Sequence, residues 1–123
     1  MKLRIDRVPI GPNSTTRNGQ RIPGLLRWHW TKRRRYTLGW KNEVRAVAGF
    51  GTFAMVRRRV TITLHRRRLL DDDNAVASCK PLLDALKACG LIHDDSRRWI
   101  LLQVDQVKDR EEFTEIEINE VPA

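Results

Sequence analysis

The chain is short of several things, and each shortage narrows what it can be. No apolar run is long enough to cross a bilayer as a helix, so no membrane-spanning segment is expected. The opening residues, MKLRIDRVPIGP, are charged throughout and lack the apolar centre of a secretory signal, so a cytoplasmic location is expected. Cysteine occurs only at Cys79 and Cys89, outside any C-x-x-C pair. Such residues are expected to be small, reduced apolar side chains rather than a disulfide or a zinc site. The three histidines, His29, His65 and His93, also lack zinc-ligand spacing. Repeats, low-complexity tracts and domain linkers are absent. A length of 123 residues suits a single domain over 1–123 with one modest core. The hydrophobic fraction, 41%, is that of a folded chain rather than a disordered one.

Acidic charge is the scarcer sign. The chain holds 24 Lys and Arg against 15 Asp and Glu, a net charge of +9. Arginine far outnumbers lysine, and its planar fork matches phosphate oxygens, so nucleic acid is the expected partner. The arginines are also clustered, in the triplets Arg33-Arg34-Arg35, Arg57-Arg58-Arg59 and Arg66-Arg67-Arg68. Charge that served solubility alone would not require such runs. A membrane surface is not an expected partner, because no basic amphipathic helix is evident.

Hydrophobic periodicity then orders the chain. KLRIDRV reads as a first strand, with Leu3 and Ile5 on one face. Residues 9–24 hold most of the turn-forming residues and read as one long loop. Trp28 and Trp30 share a strand parity and are expected in the core rather than stacked on bases. LGWKNEVRAVA, Leu38 to Ala48, reads as an amphipathic helix with Trp40, Val44 and Val47 inward, ended by GFG. VRRRVTITLHRRR reads as a strand with Val60, Ile62 and Leu64 inward and Arg59, Thr61, Thr63 and His65 outward. Pro81 is tolerated only in a first helical turn. A second helix is therefore expected from about Lys80 to its stop at Gly90, with residues 75–79 forming a separate turn. RRWILLQVDQV and FTEIEINEV read as two strands joined around Asp109 to Glu112 in a final, acidic hairpin that faces away from nucleic acid. The order β-α-β-α-β-β implies an α+β domain of two layers, two helices packed on one face of a mixed sheet.

Into this basic frame the sequence sets the run DDDN, with only Leu69 and Leu70 between it and the third arginine triplet. In extended chain Asp71 and Asp73 project to one side. Asp94 and Asp95 follow the second helix, which brings the chain back toward the strand end. Carboxylates gathered there would suit Mg²⁺, with Mn²⁺ as an alternative. A divalent ion would also relieve the repulsion between these acids and a phosphate backbone. The plainer reading makes them solvated loop residues and helix caps. Lys80 admits two readings as well. It can pair with Asp84 at i,i+4, or it can reach the acidic site and steady a phosphate.

Residues 71–95, DDDNAVASCKPLLDALKACGLIHDD, resemble the signature of the RusA-type Holliday junction resolvases. The elements are Asp71-Asp72-Asp73-Asn74, Lys80, Asp84-Ala85-Leu86, Gly90 and Asp94-Asp95. The stretch from Asn74 to Lys80 is longer than in the best-known member, with Pro81 close behind. The resemblance implies a homodimeric, Mg²⁺-dependent endonuclease of phage or prophage type, working in the bacterial cytoplasm in DNA recombination and repair. It would nick two strands symmetrically across a four-way DNA junction, with no small-molecule cofactor. The catalytic acids carry over to Asp71, Asp73 and Asp95, assisted by Asp94, and the essential lysine to Lys80. Arg33, Arg34, Arg35, Arg57, Arg59, Arg66, Arg67 and Arg68 are then expected to bind the junction arms through backbone phosphates. Two other readings stay open: a nuclease of the same fold for other branched DNA, and a non-catalytic basic module for nucleic acid.

Overall fold

The alternation in RRVTITLHR sets the centre of the molecule. A computed structural model describes residues 1–13, 15–17, 20–22, 24, 27–49 and 55–121. In β4 (Arg58–Arg66) the side chains of Val60, Ile62 and Leu64 are fully buried, as the period of two requires. Two strands flank it: β5 (Ile100–Lys108) runs parallel on one side and β6 (Phe113–Glu120) antiparallel on the other. The first strand, β1 (Lys2–Ile5), pairs antiparallel with β6, giving a mixed sheet of order β1-β6-β4-β5. The parallel pair needs a crossover, which α2 (Asp72–Ser78) and α3 (Lys80–Ala88) supply; residues 75–78, expected in a separate turn, belong to the helix α2 instead. With α1 (Trp30–Ala48), α3 closes the core over the sheet: Ile5, Trp40, Val44, Leu82, Leu86, Ile92 and Ile116 are buried together with the β4 residues. The result is the expected α+β domain of two layers. Among the described residues no helix is long and apolar enough to cross a membrane.

Several local expectations hold for identifiable reasons. Pro81 sits in the first turn of α3, where its missing N–H costs nothing. Gly90 has φ 74°, and the N–H of Leu91 reaches the Leu86 carbonyl at 3.0 Å, a left-handed stop that a side chain would strain. Both cysteines are free and buried, and burial pushes the Cys79 thiol up to about 11.

Other expectations need correction. The final hairpin does not form. Strand β4 lies between β5 and β6, so residues 109–112 cross over its end instead of closing a turn between neighbours. Hydrophobic alternation identifies strands but not their partners, and here each of the two gains more by flanking the buried β4. The first helix begins at Trp30, not Leu38, and takes in Arg33, Arg34 and Arg35. Its inward stripe is Tyr36, Trp40 and Val44, and Val47 in the last turn is 47% exposed. Trp28 packs partly buried, edge-on to Tyr36 at 5.3 Å. Trp30 opens the helix and is 63% exposed, because strand parity stops governing once the chain turns helical. The long loop contains a small hairpin, β2 (Thr15–Arg17) with β3 (Gln20–Ile22). Gly49 ends α1 with φ 69°, while Phe50 and Gly51 of the expected stop lie outside the described residues.

Candidate functional site

Strand β4 ends at Arg66, and the next residues carry the acidic run. Arg66 itself is 5% exposed, so it does not join the surface arginines as expected. Its guanidinium donates to the Ser78 hydroxyl at 3.2 Å, tying the end of β4 to the end of α2, and burial lowers its pKa. Residue 66 shares the inward parity of Val60, Ile62 and Leu64, a signal the clustering of arginines had masked.

Leu70 marks the entry to the acidic turn. Its backbone is held on both sides by one side chain, as Gln106 on β5 accepts from the Leu70 N–H at 3.0 Å and donates to its carbonyl at 2.7 Å. This clamp escaped the sequence reading, because an isolated glutamine in a strand has no motif. Leu70 packs against the core, whereas Leu69 is exposed.

Asp71 has extended backbone (φ −60°, ψ 150°) and stands at the N-cap of α2 without a capping bond from its side chain. Asp72 and Asp73 occupy the first helical turn, where the helix dipole favours negative charge. The chain is thus already helical at Asp73, and the extended geometry expected for Asp71 and Asp73 does not apply. All three aspartates are exposed, and among the described residues none forms a salt bridge. Asn74 accepts a hydrogen bond from Asn13 at 3.1 Å, which fastens the N-terminal loop to the motif.

Lys80 makes the expected i,i+4 pair and a second, longer-range one. Its ammonium pairs with Asp84 at 3.0 Å, and it also binds Asp95, fifteen residues on. The second contact folds the loop after α3 back onto the start of that helix. The hydrogen bond to Asp95 is the main cause that raises the Lys80 pKa, and Lys80 therefore stays cationic at neutral pH. Asp94 turns to Lys87 at 3.1 Å, and that partner lowers its pKa. His93 stacks edge-on with Trp99 at 4.3 Å.

The expected metal ligands are suited to a hard cation in kind, since all offer carboxylate oxygen. They are not gathered. Among the described residues no group of three or more His, Cys, Asp or Glu side chains could hold a metal ion. Asp95 is engaged by Lys80, which stands on α3, whereas Asp73 stands on α2.

The surface arginines divide between separate regions. Arg33, Arg34 and Arg35 are exposed on the first turns of α1. Arg57 and Arg59 are exposed at the start of β4, while the Arg58 guanidinium turns in to the Leu91 carbonyl. Arg67 and Arg68 are exposed just beyond its other end, about 25–30 Å away at the rise of a strand. The triplets do not make one continuous patch.

A scan against protein-family models finds no match for this chain, and neither does a search of curated proteins, so the likeness to the RusA-type resolvases rests on residues 71–95 themselves.

Proposed function

We propose that the protein is a Mg²⁺-dependent, structure-selective endonuclease that resolves four-way DNA junctions as a homodimer in the bacterial cytoplasm, in the manner of a phage-type RusA resolvase. The observation that carries this reading is the contact of Lys80 with Asp95. It joins the two halves of the motif, residues 71–80 and 94–95, across the turn that follows α3. The net charge of +9 and the exposed arginines supply sequence-independent affinity for DNA phosphates.

The resemblance assigns the divalent ion to Asp71, Asp73 and Asp95, assisted by Asp94, although in this structure Lys80 holds Asp95 and Lys87 holds Asp94. Mg²⁺ or Mn²⁺, when bound, supplies Lewis acidity and neutralises phosphate charge. Lys80 remains protonated and stabilises negative charge on the scissile phosphate or the leaving oxygen, and Asp84 positions its ammonium. A two-fold dimer would present one such site to each scissile strand of the roughly two-fold junction.

A second reading has an observation of its own. The acids are not convergent, as they would not be in a non-catalytic nucleic-acid module whose aspartates only begin a helix. Cleavage of an immobile four-way junction, beside matched duplex and flap substrates, separates the readings. With Mg²⁺ the wild type is expected to make paired symmetric nicks near the crossover. Asp73→Asn is expected to stop cutting while binding persists. Preference for flaps would make the protein a nuclease for other branched DNA. Binding without cutting under Mg²⁺ and Mn²⁺ would leave the module.

A further inference from the structure

The segment from β5 to β6 must cross the end of β4, and it does so against the third arginine triplet. The Asp109 N–H donates to the Arg66 carbonyl at 2.8 Å, and the Arg67 Nε–H donates to the Arg110 carbonyl at 2.7 Å. Beside this crossing lies a cleft of about 480 Å³ lined by Arg67, Lys108, Asp109 and Arg110. We propose that this cleft binds a backbone phosphate of the DNA strand that passes the acidic turn, with Arg67, Lys108 and Arg110 as its cationic ligands. The proposal rests on the reading of the protein as one that acts on DNA, and it adds Lys108 and Arg110 to the residues that hold the substrate.

Three features point to an anion here. First, three cations meet one carboxylate in the lining, and among the described residues none of the three is in a salt bridge. The one carboxylate, Asp109, already has partners: it accepts from the Glu111 N–H at 3.2 Å and lies 3.4 Å from His65 Nδ1. Second, the bond from Arg67 to the Arg110 carbonyl uses a single donor. It fixes the plane of the guanidinium and leaves the rest of the fork, a pre-oriented arrangement suited to paired phosphate oxygens. Third, the cleft and the clamp on the acidic turn draw on the same strand, β5. Lys108 has the same strand parity as Gln106, which clamps Leu70 immediately before Asp71. The acidic C-terminal segment was expected to face away from DNA. Its glutamates Glu115 and Glu117 lie within β6, and of the two in the crossing Glu111 pairs with Arg4 at 2.8 Å while Glu112 accepts from the Arg67 N–H at 3.3 Å; neither lines the cleft.

The test is junction binding in EDTA across a salt series, comparing wild type with Lys108→Ala/Arg110→Ala. A double of equal charge change placed elsewhere, Lys2→Ala/Lys41→Ala, controls for net charge. The cleft double is expected to bind at least about tenfold more weakly at low salt, with a slope of log K against log salt shallower by about 2. The control double is expected to keep nearly the wild-type slope, and Lys108→Arg to keep wild-type binding. Matching thermal melts establish that each variant is folded. Equal effects of the two doubles, or none from the cleft double, would overturn the cleft while leaving the nuclease reading in place. Failure of the wild type to bind any DNA would overturn both.

Discussion

One glutamine holds the entrance to the acidic motif: Gln106 accepts a hydrogen bond from the Leu70 N–H at 3.0 Å and donates one to the Leu70 carbonyl at 2.7 Å. The two residues are 36 positions apart, on the edge strand and on the turn that follows the central strand.

Gln106→Ala should therefore have two effects. Leaving both Leu70 backbone groups without this partner should cost about 1–3 kcal/mol in denaturant unfolding. Junction cleavage should fall further than stability accounts for, because Asp71 loses its register. Unchanged cleavage in the folded variant would remove the clamp from the site.

Arg66 and Ser78 predict an asymmetric pair of outcomes. Ser78→Ala leaves a buried guanidinium without its hydroxyl partner and should cost about 1–3 kcal/mol. Arg66→Met removes the charge together with its desolvation and should be close to neutral by the same unfolding measurement. It should also bind junction DNA within about twofold of wild type, since a side chain this buried offers nothing to phosphate. A large loss of binding would return Arg66 to the DNA surface.

Lys80 lies mostly in water, so its ion pairs should matter little to the fold. Lys80→Met should change stability by less than about 1 kcal/mol. Cleavage should fall by about a hundredfold or more if the ammonium stabilises transition-state charge. The pH dependence has a definite sign. Because the folded pKa is raised, whatever stability Lys80 contributes is present below the ordinary lysine value of 10.5 and is lost as pH rises through the folded value. Asp94 behaves oppositely: its lowered pKa means that its contribution is present above 3.8 and disappears as pH falls through the folded value. NMR titration of the two side chains checks both directions.

The two tryptophans of α1 should separate cleanly. Trp40 is wholly buried, and Trp40→Ala should cost about 3–5 kcal/mol, enough to unfold a domain of this size. Trp30→Ala should alter stability by no more than about 0.5 kcal/mol. Thermal melts of the two variants decide this, and a large loss at Trp30 would mean that its ring is covered in solution.

Much of the fold was legible because it depends on patterns carried by neighbouring residues. The period of two in RRVTITLHR marked the central strand and its buried face. Pro81 and Gly90 marked the limits of α3, since few backbone positions tolerate the one or favour the other. The site was legible only as a list. The motif named Asp71, Asp73, Lys80 and Asp95, but spacing could not say which would touch. It also misjudged Arg66, whose membership in a charged run concealed its inward parity.

The sequence by itself determined the central strand and its buried face, the limits of α3, the α+β class, the basic charge and the residues of the acidic motif, because composition and local period are properties of the chain alone. Tertiary structure decided which strands are neighbours. By inserting β4 between β5 and β6 it carried Lys108 and Arg110 across the end of the central strand, brought Gln106 to Leu70, folded Asp95 onto Lys80 and drew Arg66 inside. These relations join residues far apart in the chain. They follow from burying one shared core, and no local pattern encodes them.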